Sequence, residues 1–204
     1  IKAIYIKDGT IKFDIVDKER VFLKAVARDT GIIRAGKGCN IPGINRSGDR
    51  LSIKDKEDIK WAIKNGIDII CQSFVEDETD IIELNRFLNL NDANKEIKIF
   101  SKLETPKGIM KYNEILNRSD GIIIARGDLV PECGLIESVN EEYKLLNKLQ
   151  RQVYDAEVIV ATHLLDSMKN GKMPTITEVE GIYNFIKCGV SGFLLAGETS
   201  VGKY

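Results

Sequence analysis

The feature of this 204-residue chain that most constrains its fold is a repeated alternation of short apolar runs with helical patterns. The alternation begins after about residue 51, and its apolar runs occupy residues 67–71, 97–101, 121–125, 158–161 and 193–196. Runs this short suit strands better than helices, and amphipathic stretches separate them. A repeated strand–helix–strand order predicts right-handed βαβ units and a parallel sheet.

The starts of several helices carry their own sequence patterns. Thr105 can cap a helix whose first residue is Pro106, a position that proline favours. Two further pairs have the spacing of a capping box: Ser138 with Glu141, and Thr175 with Glu178. A helix over about residues 55–65 is expected to end at Gly66, because glycine suits the left-handed position that follows a helix.

Polar or reactive residues follow every apolar run: Gln72 and Ser73, Lys102 and Glu104, Arg126 and Asp128, Thr162 and His163, and Glu198 and Thr199. In a (β/α)8 barrel, the carboxyl ends of all strands meet at one mouth, where such residues come together. An open doubly wound sheet more often has a glycine-rich phosphate turn after its first strand, and this sequence has none. The spacing therefore favours an α/β fold that is a partial (β/α)8 TIM barrel.

Five strands do not close an eight-stranded barrel, so we expect the chain to be the central piece of a longer protein. Residues expected to face the barrel interior are Ile69, Ile99, Ile123, Ile159 and Leu195. By itself, the chain is expected to lack activity.

Residues 1–45 have a different pattern. Ile4 and Ile6 alternate with other residues, as do Ile11, Phe13 and Ile15, and turn residues separate these stretches. This period of two predicts antiparallel β structure. We therefore expect residues 1–45 to form part of a small β domain and residues 46–204 to form the partial barrel domain.

Composition excludes two classes of function. The net charge is −1, which provides neither a broad basic field for nucleic acid nor a polybasic membrane face. The apolar runs are far shorter than a transmembrane helix. The cysteines have no metal or redox spacing, and Cys71 and Cys188 stand in apolar segments that predict buried, reduced thiols. We expect a cytoplasmic protein, with a plastid as the alternative compartment.

The strongest chemical pattern lies at two neighbouring strand ends. Alternation places Lys102 and Glu104 on one face, although an isolated pair of this kind is more often a simple ion pair. The next run adds a second carboxylate, Asp128. Magnesium takes few protein oxygens and leaves room for water and substrate phosphate. The pattern therefore indicates that Glu104 and Asp128 hold Mg²⁺ (or Mn²⁺).

Three segments resemble pyruvate kinase motifs in order and spacing: residues 99–104 (IFSKLE), 119–129 (SDGIIIARGDL) and 161–168 (ATHLLDSM). Further agreement comes from residues 37–43 (KGCNIPG), 73–75 (SFV), 197–199 (GET) and 202–204 (GKY). The resemblance runs almost from end to end. It implies an enzyme of glycolysis that transfers a phosphoryl group from phosphoenolpyruvate to ADP, giving pyruvate and ATP.

The resemblance also implies roles for individual residues. Lys102 would stabilise charge on the transferred phosphoryl group and on the enolate, as a fixed cation can. The backbone N–H groups of Gly127 and Asp128 would bind the substrate carboxylate. Thr162 would lie beside the substrate, in the network that protonates the enolate. Lys37, in the small β domain, would contact nucleotide phosphates.

The same resemblance implies K⁺ as a second cofactor, with ligands outside this chain, and a homotetrameric parent protein. Three residues depart from the family pattern: Val130 replaces a glycine, His163 a glutamine and Ile176 an arginine. For His163, a hydrogen-bonding role beside Thr162 is favoured over that of a general acid. The departures motivate one alternative, a catalytically inactive regulatory or binding subunit. Another alternative is a different Mg²⁺-dependent barrel acting on phosphoenolpyruvate or pyruvate.

Overall fold

The computed structural model describes residues 1–7, 9–44, 46, 48, 50–91, 97–151 and 156–202. Its first sheet is antiparallel and contains strands β1 (Ala3–Ile6), β2 (Ile11–Lys18), β3 (Leu23–Ala27) and β4 (Cys39–Asn40). Their order is β3-β2-β1-β4. The period-two pattern of the first residues therefore does correspond to strands. Asp8, whose position in the sequence is between β1 and β2, lies outside the described residues.

The second sheet is parallel, and its strands neighbour one another in sequence order. They are β5 (Ile69–Gln72), β6 (Lys98–Leu103), β7 (Gly121–Ala125), β8 (Glu157–Ala161) and β9 (Gly192–Leu194). In the described part of the chain the sheet stays open, with β5 and β9 at its edges. This is the partial α/β barrel predicted from the spacing of the apolar runs.

Helices precede, connect and follow the parallel strands. They are α1 (Ile53–Lys64), α2 (Glu78–Leu90), α3 (Pro106–Met110), α4 (Tyr112–Leu116), α5 (Arg126–Cys133), α6 (Leu135–Leu149), α7 (Ile176–Lys187) and α8 (Gly197–Val201). A short 3₁₀ helix covers Asp166–Lys169. None of the described helices is long and apolar enough to cross a membrane.

The two faces of the parallel sheet differ in their packing. Ile99, Ile122 and Ile124 belong to the large core that the sheet forms with the helices. On the opposite face, Phe100, Ile123 and Ala161 make a small separate cluster, with Ile159 packed against it. The prediction that Ile99 faces the barrel interior is wrong, because alternation in β6 gives that face to Phe100 instead.

Two of the three predicted helix starts are confirmed and one is wrong. Thr105 caps α3 with Pro106 in its first turn, and Thr175 and Glu178 form a complete capping box for α7. The box predicted at Ser138 is wrong, because Gly134 precedes α6 and Ser138 lies one turn inside it. There the Ser138 hydroxyl donates to the carbonyl oxygen of Leu135 at 2.8 Å, a bond that a serine within a helix can make.

Two other expectations concern Gly66 and the cysteines. Gly66 follows α1 with a φ of 68°, the left-handed conformation expected there. Cys71 is exposed and Cys188 is only partly buried, so the prediction of buried thiols is wrong. Cys71 is exposed because β5 is an edge strand of the open sheet.

Candidate active site

Lys102 and Glu104 stand at the carboxyl end of β6 and contact each other directly. The Nζ of Lys102 lies 2.5 Å from the Oε1 of Glu104. It also donates to the Oγ of Ser73, which follows β5, at 3.3 Å. The ammonium group therefore bridges two neighbouring strand ends, as the predicted convergence at a barrel mouth requires.

Glu104 is the most deeply buried acid of this cluster, with 0% of its surface exposed. Its Oε2 accepts a hydrogen bond from the backbone N–H of Phe74 at 2.6 Å, and Phe74 adopts a left-handed φ of 53°. Its buried Oε1 is in direct contact with the ammonium group of Lys102, 2.5 Å away. A carboxylate has about four lone-pair sites, so this group can coordinate a cation in addition to these contacts.

Burial raises the pKa of the Glu104 carboxyl. Lys102 and the N–H of Phe74 oppose this rise, and the negative charge of Asp128 adds to it. The two carboxylates therefore act on each other electrostatically. A bound divalent cation would oppose the effect of burial and favour the ionised form of Glu104.

Asp128 lies in the first turn of α5, directly after β7. Its Oδ1 accepts a hydrogen bond from the Nδ2 of Asn40 at 3.1 Å, and Asn40 is 3% exposed. Asn40 belongs to the small antiparallel sheet, so this bond links that sheet to the barrel mouth. Sequence analysis missed Asn40, although it lies within the motif at residues 37–43.

The described residues contain no group of three or more His, Cys, Asp or Glu side chains that could hold a metal ion. Glu104 and Asp128 could therefore supply only part of a coordination shell. Mg²⁺ commonly keeps several waters and is held by one or two carboxylates together with substrate phosphate. The donor set here fits that mode of binding.

Gly127 and Thr162, two of the predicted site residues, contact each other. The backbone N–H of Gly127 donates to the Oγ1 of Thr162 at 3.0 Å. A Cβ atom at position 127 would lie 3.3 Å from that oxygen, closer than most Cβ contacts. Glycine therefore eases the close approach of α5 to the end of β8, because any side chain here would have to displace the Thr162 hydroxyl slightly.

The backbone after β8 adopts a rare conformation, with φ angles of 67° at Thr162 and 52° at His163. A left-handed conformation is unfavourable for a β-branched residue such as Thr162, and strain of this kind concentrates at functional sites. The side chain of Arg126 stabilises the turn, since its Nε donates to the carbonyl oxygen of Thr162 at 3.1 Å and its Nη2 to that of His163 at 2.6 Å.

Arg126 is held in place from its other side. Its guanidinium lies over the ring of Phe185 at 5.1 Å from the centroid, and its Nη1 lies 3.9 Å from the Oε1 of Glu142. Burial lowers the pKa of this guanidinium, against the effect of Glu142. Sequence analysis placed Arg126 at a strand end but assigned it no role, because its partners lie on distant elements.

Lys37 is the one predicted site residue that the structure leaves apart. It is exposed in the segment between β3 and β4. In the ranges that the structure describes, no hydrogen bond or ion pair joins it to Lys102, Glu104 or Asp128. Lys203 and Tyr204, the last residues of the final motif, lie outside the described residues.

Together these residues could bind a small ligand that carries both a phosphate and a carboxylate. Lys102 supplies a fixed positive charge, and Glu104 and Asp128 supply oxygens for a cation. Ala125 gives α5 no side-chain cap, and the N–H of Gly127 in its first turn bonds to the Oγ1 of Thr162, a partner that an anion could replace. Such a cluster is suited to transferring a phosphoryl group, because charge neutralisation and positioning account for most of the catalysis in that reaction.

Known proteins of one family resemble this chain along its whole length. A family model described as pyruvate kinase, barrel domain, matches residues 1–204. The chain is 34% identical over 204 residues to pyruvate kinase 1 of Saccharomyces cerevisiae, covering 100% of this chain and 40% of that protein. It is 34% identical over 206 residues to pyruvate kinase of Geobacillus stearothermophilus, covering 98% of this chain and 34% of that protein.

A third relative, pyruvate kinase of Candida albicans, is 36% identical over 205 residues, which cover 100% of this chain and 40% of the relative. The chain thus spans well under half the length of these curated relatives. The matches favour the pyruvate kinase family over a different metal-dependent barrel, because they include both the small sheet and the parallel sheet. The chain belongs to the pyruvate kinase family, as a segment of its barrel domain.

Proposed function

We propose that the full-length protein containing this chain transfers a phosphoryl group from phosphoenolpyruvate to ADP, giving pyruvate and ATP. The observation that carries the proposal is the meeting of Lys102 and the fully buried Glu104 at the end of β6 with a second carboxylate, Asp128, whose negative charge acts on the Glu104 carboxyl. Two carboxylates at neighbouring strand ends are the protein ligands that a divalent cation shared with a substrate phosphate uses. A bound cation would offset the repulsion between them.

Glu104 and Asp128 would hold Mg²⁺ (or Mn²⁺) through one carboxylate each. When bound, the ion would neutralise charge on the phosphate oxygens. K⁺ is proposed as a second cofactor on the basis of the family alone, with ligands outside these residues.

The chain's own residues would position the reactants. The ammonium group of Lys102 would face the transferred phosphoryl group and the enolate oxygen that it leaves. The N–H groups of Gly127 and Asp128 would bind the substrate carboxylate, which would replace the Oγ1 of Thr162 as the partner of the Gly127 N–H. The hydroxyl of Thr162 would then be free to hydrogen-bond near the enolate carbon that takes up a proton.

The remaining proposals concern partners and context. Lys37 would contact the phosphates of ADP and ATP, which would require movement of its exposed segment toward the barrel mouth. Family membership supports a homotetramer and a place in glycolysis in the cytoplasm. The division into a small β domain at 1–45 and a barrel domain at 46–204 is supported by the two separate sheets.

The test is a magnesium titration of the full-length protein, with pyruvate formation as the readout. We expect Glu104→Gln and Asp128→Asn each to raise the half-saturating Mg²⁺ concentration by about tenfold or more, because each removes a charged ligand. Glu57→Gln, which removes an exposed carboxylate on α1, is the matched control.

Two outcomes would contradict the proposal. Unchanged half-saturation in both variants would remove the metal assignment. A full-length protein that forms no ATP would support the inactive-subunit alternative, which the departures at Val130, His163 and Ile176 motivate. Residues 1–204 expressed alone are expected to form no ATP, because the parallel sheet leaves β5 and β9 without outer neighbours.

A further inference from the structure

One arginine joins three separate elements beside the candidate metal site. Arg46 lies in the segment between β4 and α1, and its side chain is 22% exposed. Its Nη1 donates to the Oε1 of Glu76, in the loop between β5 and α2, at 3.3 Å, and its Nη2 donates to the Oε1 of Glu132 in α5 at 2.7 Å. Its guanidinium also lies over the ring of Phe74, 4.6 Å from the centroid. The proposed reaction gives this arginine no role.

The acidic partners of Arg46 are sheltered from water. The side chain of Glu132 is 3% exposed and that of Glu76 is 12% exposed. Burial raises the pKa of the Glu132 carboxyl, and Arg46 opposes that rise. In the described part of the chain, Glu132 makes no other ion pair. Ion pairs at the open surface contribute little, whereas charged hydrogen bonds in a sheltered setting hold their partners firmly.

The first connection from Arg46 to the metal site runs through Phe74. The backbone N–H of Phe74 donates to the Oε2 of Glu104 at 2.6 Å, and it does so from a left-handed φ of 53°. A bulky residue keeps this backbone conformation only where its surroundings hold it. The guanidinium over the ring is one such constraint. The orientation of the Glu104 carboxyl therefore depends on Arg46.

The second connection runs through α5. Glu132 lies one turn after Asp128 in this helix, which has only eight residues. Asn40 fixes the helix near its start, through the Oδ1 of Asp128, and Arg46 fixes it near its end. A short helix held at one end alone can tilt, which would move Asp128 relative to Glu104.

We propose that Arg46 is a positioning residue for the divalent metal site, where it holds the carboxylates of Glu104 and Asp128 at the separation that the ion requires. This inference rests on the proposed function, in which those two carboxylates bind Mg²⁺ (or Mn²⁺). Among the described residues, the hydrogen bonds of Arg46 go to Glu76 and Glu132 and to neither metal ligand. Arg46 therefore acts through Phe74 and α5. Loss of a residue that orients metal ligands typically weakens metal binding about 10–100-fold.

Arg50 provides a matched control in the same segment. Its side chain is also 22% exposed, and it too pairs with two carboxylates, those of Asp77 and Asp80. Both of these acids belong to the region where α2 begins, and neither lies in α5. In the described residues neither has a hydrogen bond with Glu104 or Asp128. Loss of Arg50 should therefore lower stability, as loss of Arg46 does, without disturbing the metal site.

The experiment measures the binding of Mn²⁺ alone to the full-length protein, from the electron paramagnetic resonance signal of the free ion. We expect Arg46→Met to raise the Kd for Mn²⁺ about tenfold or more. Arg50→Met should leave this Kd close to the wild-type value. Thermal unfolding of both variants measures the loss of stability that the two arginines share, so a change in Kd confined to Arg46→Met reports positioning.

A conservative pair of variants sharpens the comparison. Arg46→Lys keeps the positive charge but lacks the planar fork that contacts two carboxylates and stacks on a ring. Its Kd for Mn²⁺ should therefore lie between those of wild type and Arg46→Met. Arg50→Lys, its control, should again bind Mn²⁺ like wild type.

The inference is overturned if Arg46→Met binds Mn²⁺ as tightly as Arg50→Met does. Should Arg46→Met fail to fold, the comparison of Arg46→Lys with Arg50→Lys decides by the same criterion. Failure of the proposed function is a separate outcome, in which the wild-type protein forms no ATP from phosphoenolpyruvate and ADP, or Glu104→Gln binds Mn²⁺ like wild type.

Discussion

The strands β7 and β2 show how differently the two sheets of this chain are stabilised. Every residue of β7 is buried, and Ile122 and Ile124 are 0% exposed within the core formed with the helices. In β2, Ile11 is the one buried residue, and the strand ends in three exposed positions. Burial of branched side chains accounts for the first strand, whereas β2 depends mainly on pairing with its neighbours.

The ion pairs of the two sheets also differ in their burial. In the antiparallel sheet, Asp14 pairs with Lys12 at 3.1 Å and with Arg28 at 2.5 Å, all near the surface, where ion pairs contribute little. At the ends of the parallel strands, Lys102 and Glu104 meet in a buried setting. Strong electrostatic interactions occur where a rigid, buried sheet excludes water, and this is where the site lies.

The largest expected effect is on the free energy of unfolding, when a side chain is truncated in one sheet or the other. Ile124→Ala should lower the free energy of unfolding by about 2–5 kcal/mol, because it leaves a cavity in a fully buried strand. Val26→Ala, at a β3 position that is 46% exposed, should change it by less than about 0.5 kcal/mol. Urea denaturation of the full-length variants measures both changes. Equal losses would contradict the distinction between the sheets.

The next largest effect is on steady-state kinetics, in a comparison of one lysine from each sheet region. Lys102→Met should lower kcat about a hundredfold or more, with a smaller change in KM for phosphoenolpyruvate, because it removes a preorganised charge from the transition state. Lys37→Met should instead raise KM for ADP severalfold and leave kcat near its wild-type value. Steady-state kinetics of the full-length protein separates the two. Nearly normal kcat in Lys102→Met would make Lys102 a structural residue.

The smallest effect concerns the helix cap that supports the turn beside the site. Glu178 accepts hydrogen bonds from Ser167 and Thr175, and these outweigh burial and lower the pKa of its carboxyl to about 2. Because the folded-state pKa lies below the ordinary value of 4.5, the stabilisation is present above that pH and is lost as pH falls toward 2.

Glu178→Gln should therefore cost about 1 kcal/mol at neutral pH, a typical value for a cap near the surface. The difference from wild type should shrink as pH falls through the same interval, as measured by thermal unfolding. Glu180→Gln, on the exposed side of α7, should show no such trend. A difference that stays constant with pH would refute the assignment.

Local sequence patterns predicted much of the fold. The run at residues 121–125 coincides with β7, and the pairing of Thr175 with Glu178 was correctly predicted because both partners lie within one turn. Lys102 and Glu104 are likewise neighbours, as their spacing required. Local patterns failed where another signal competed: Ser138 has the spacing of a cap, yet α6 begins before it at Gly134.

The sequence by itself determined the strand–helix alternation, the residues at the strand ends and the family, because short-range periodicity and motif spacing are properties of neighbouring residues. Only the tertiary structure decided that Asn40 bonds Asp128, 88 residues away, and that Arg126 stabilises the turn at Thr162 and His163. It also gave the interior face of β6 to Phe100 and buried Glu104 against the backbone N–H of Phe74. These features depend on which distant elements pack together, and packing is set by the whole core rather than by any local pattern.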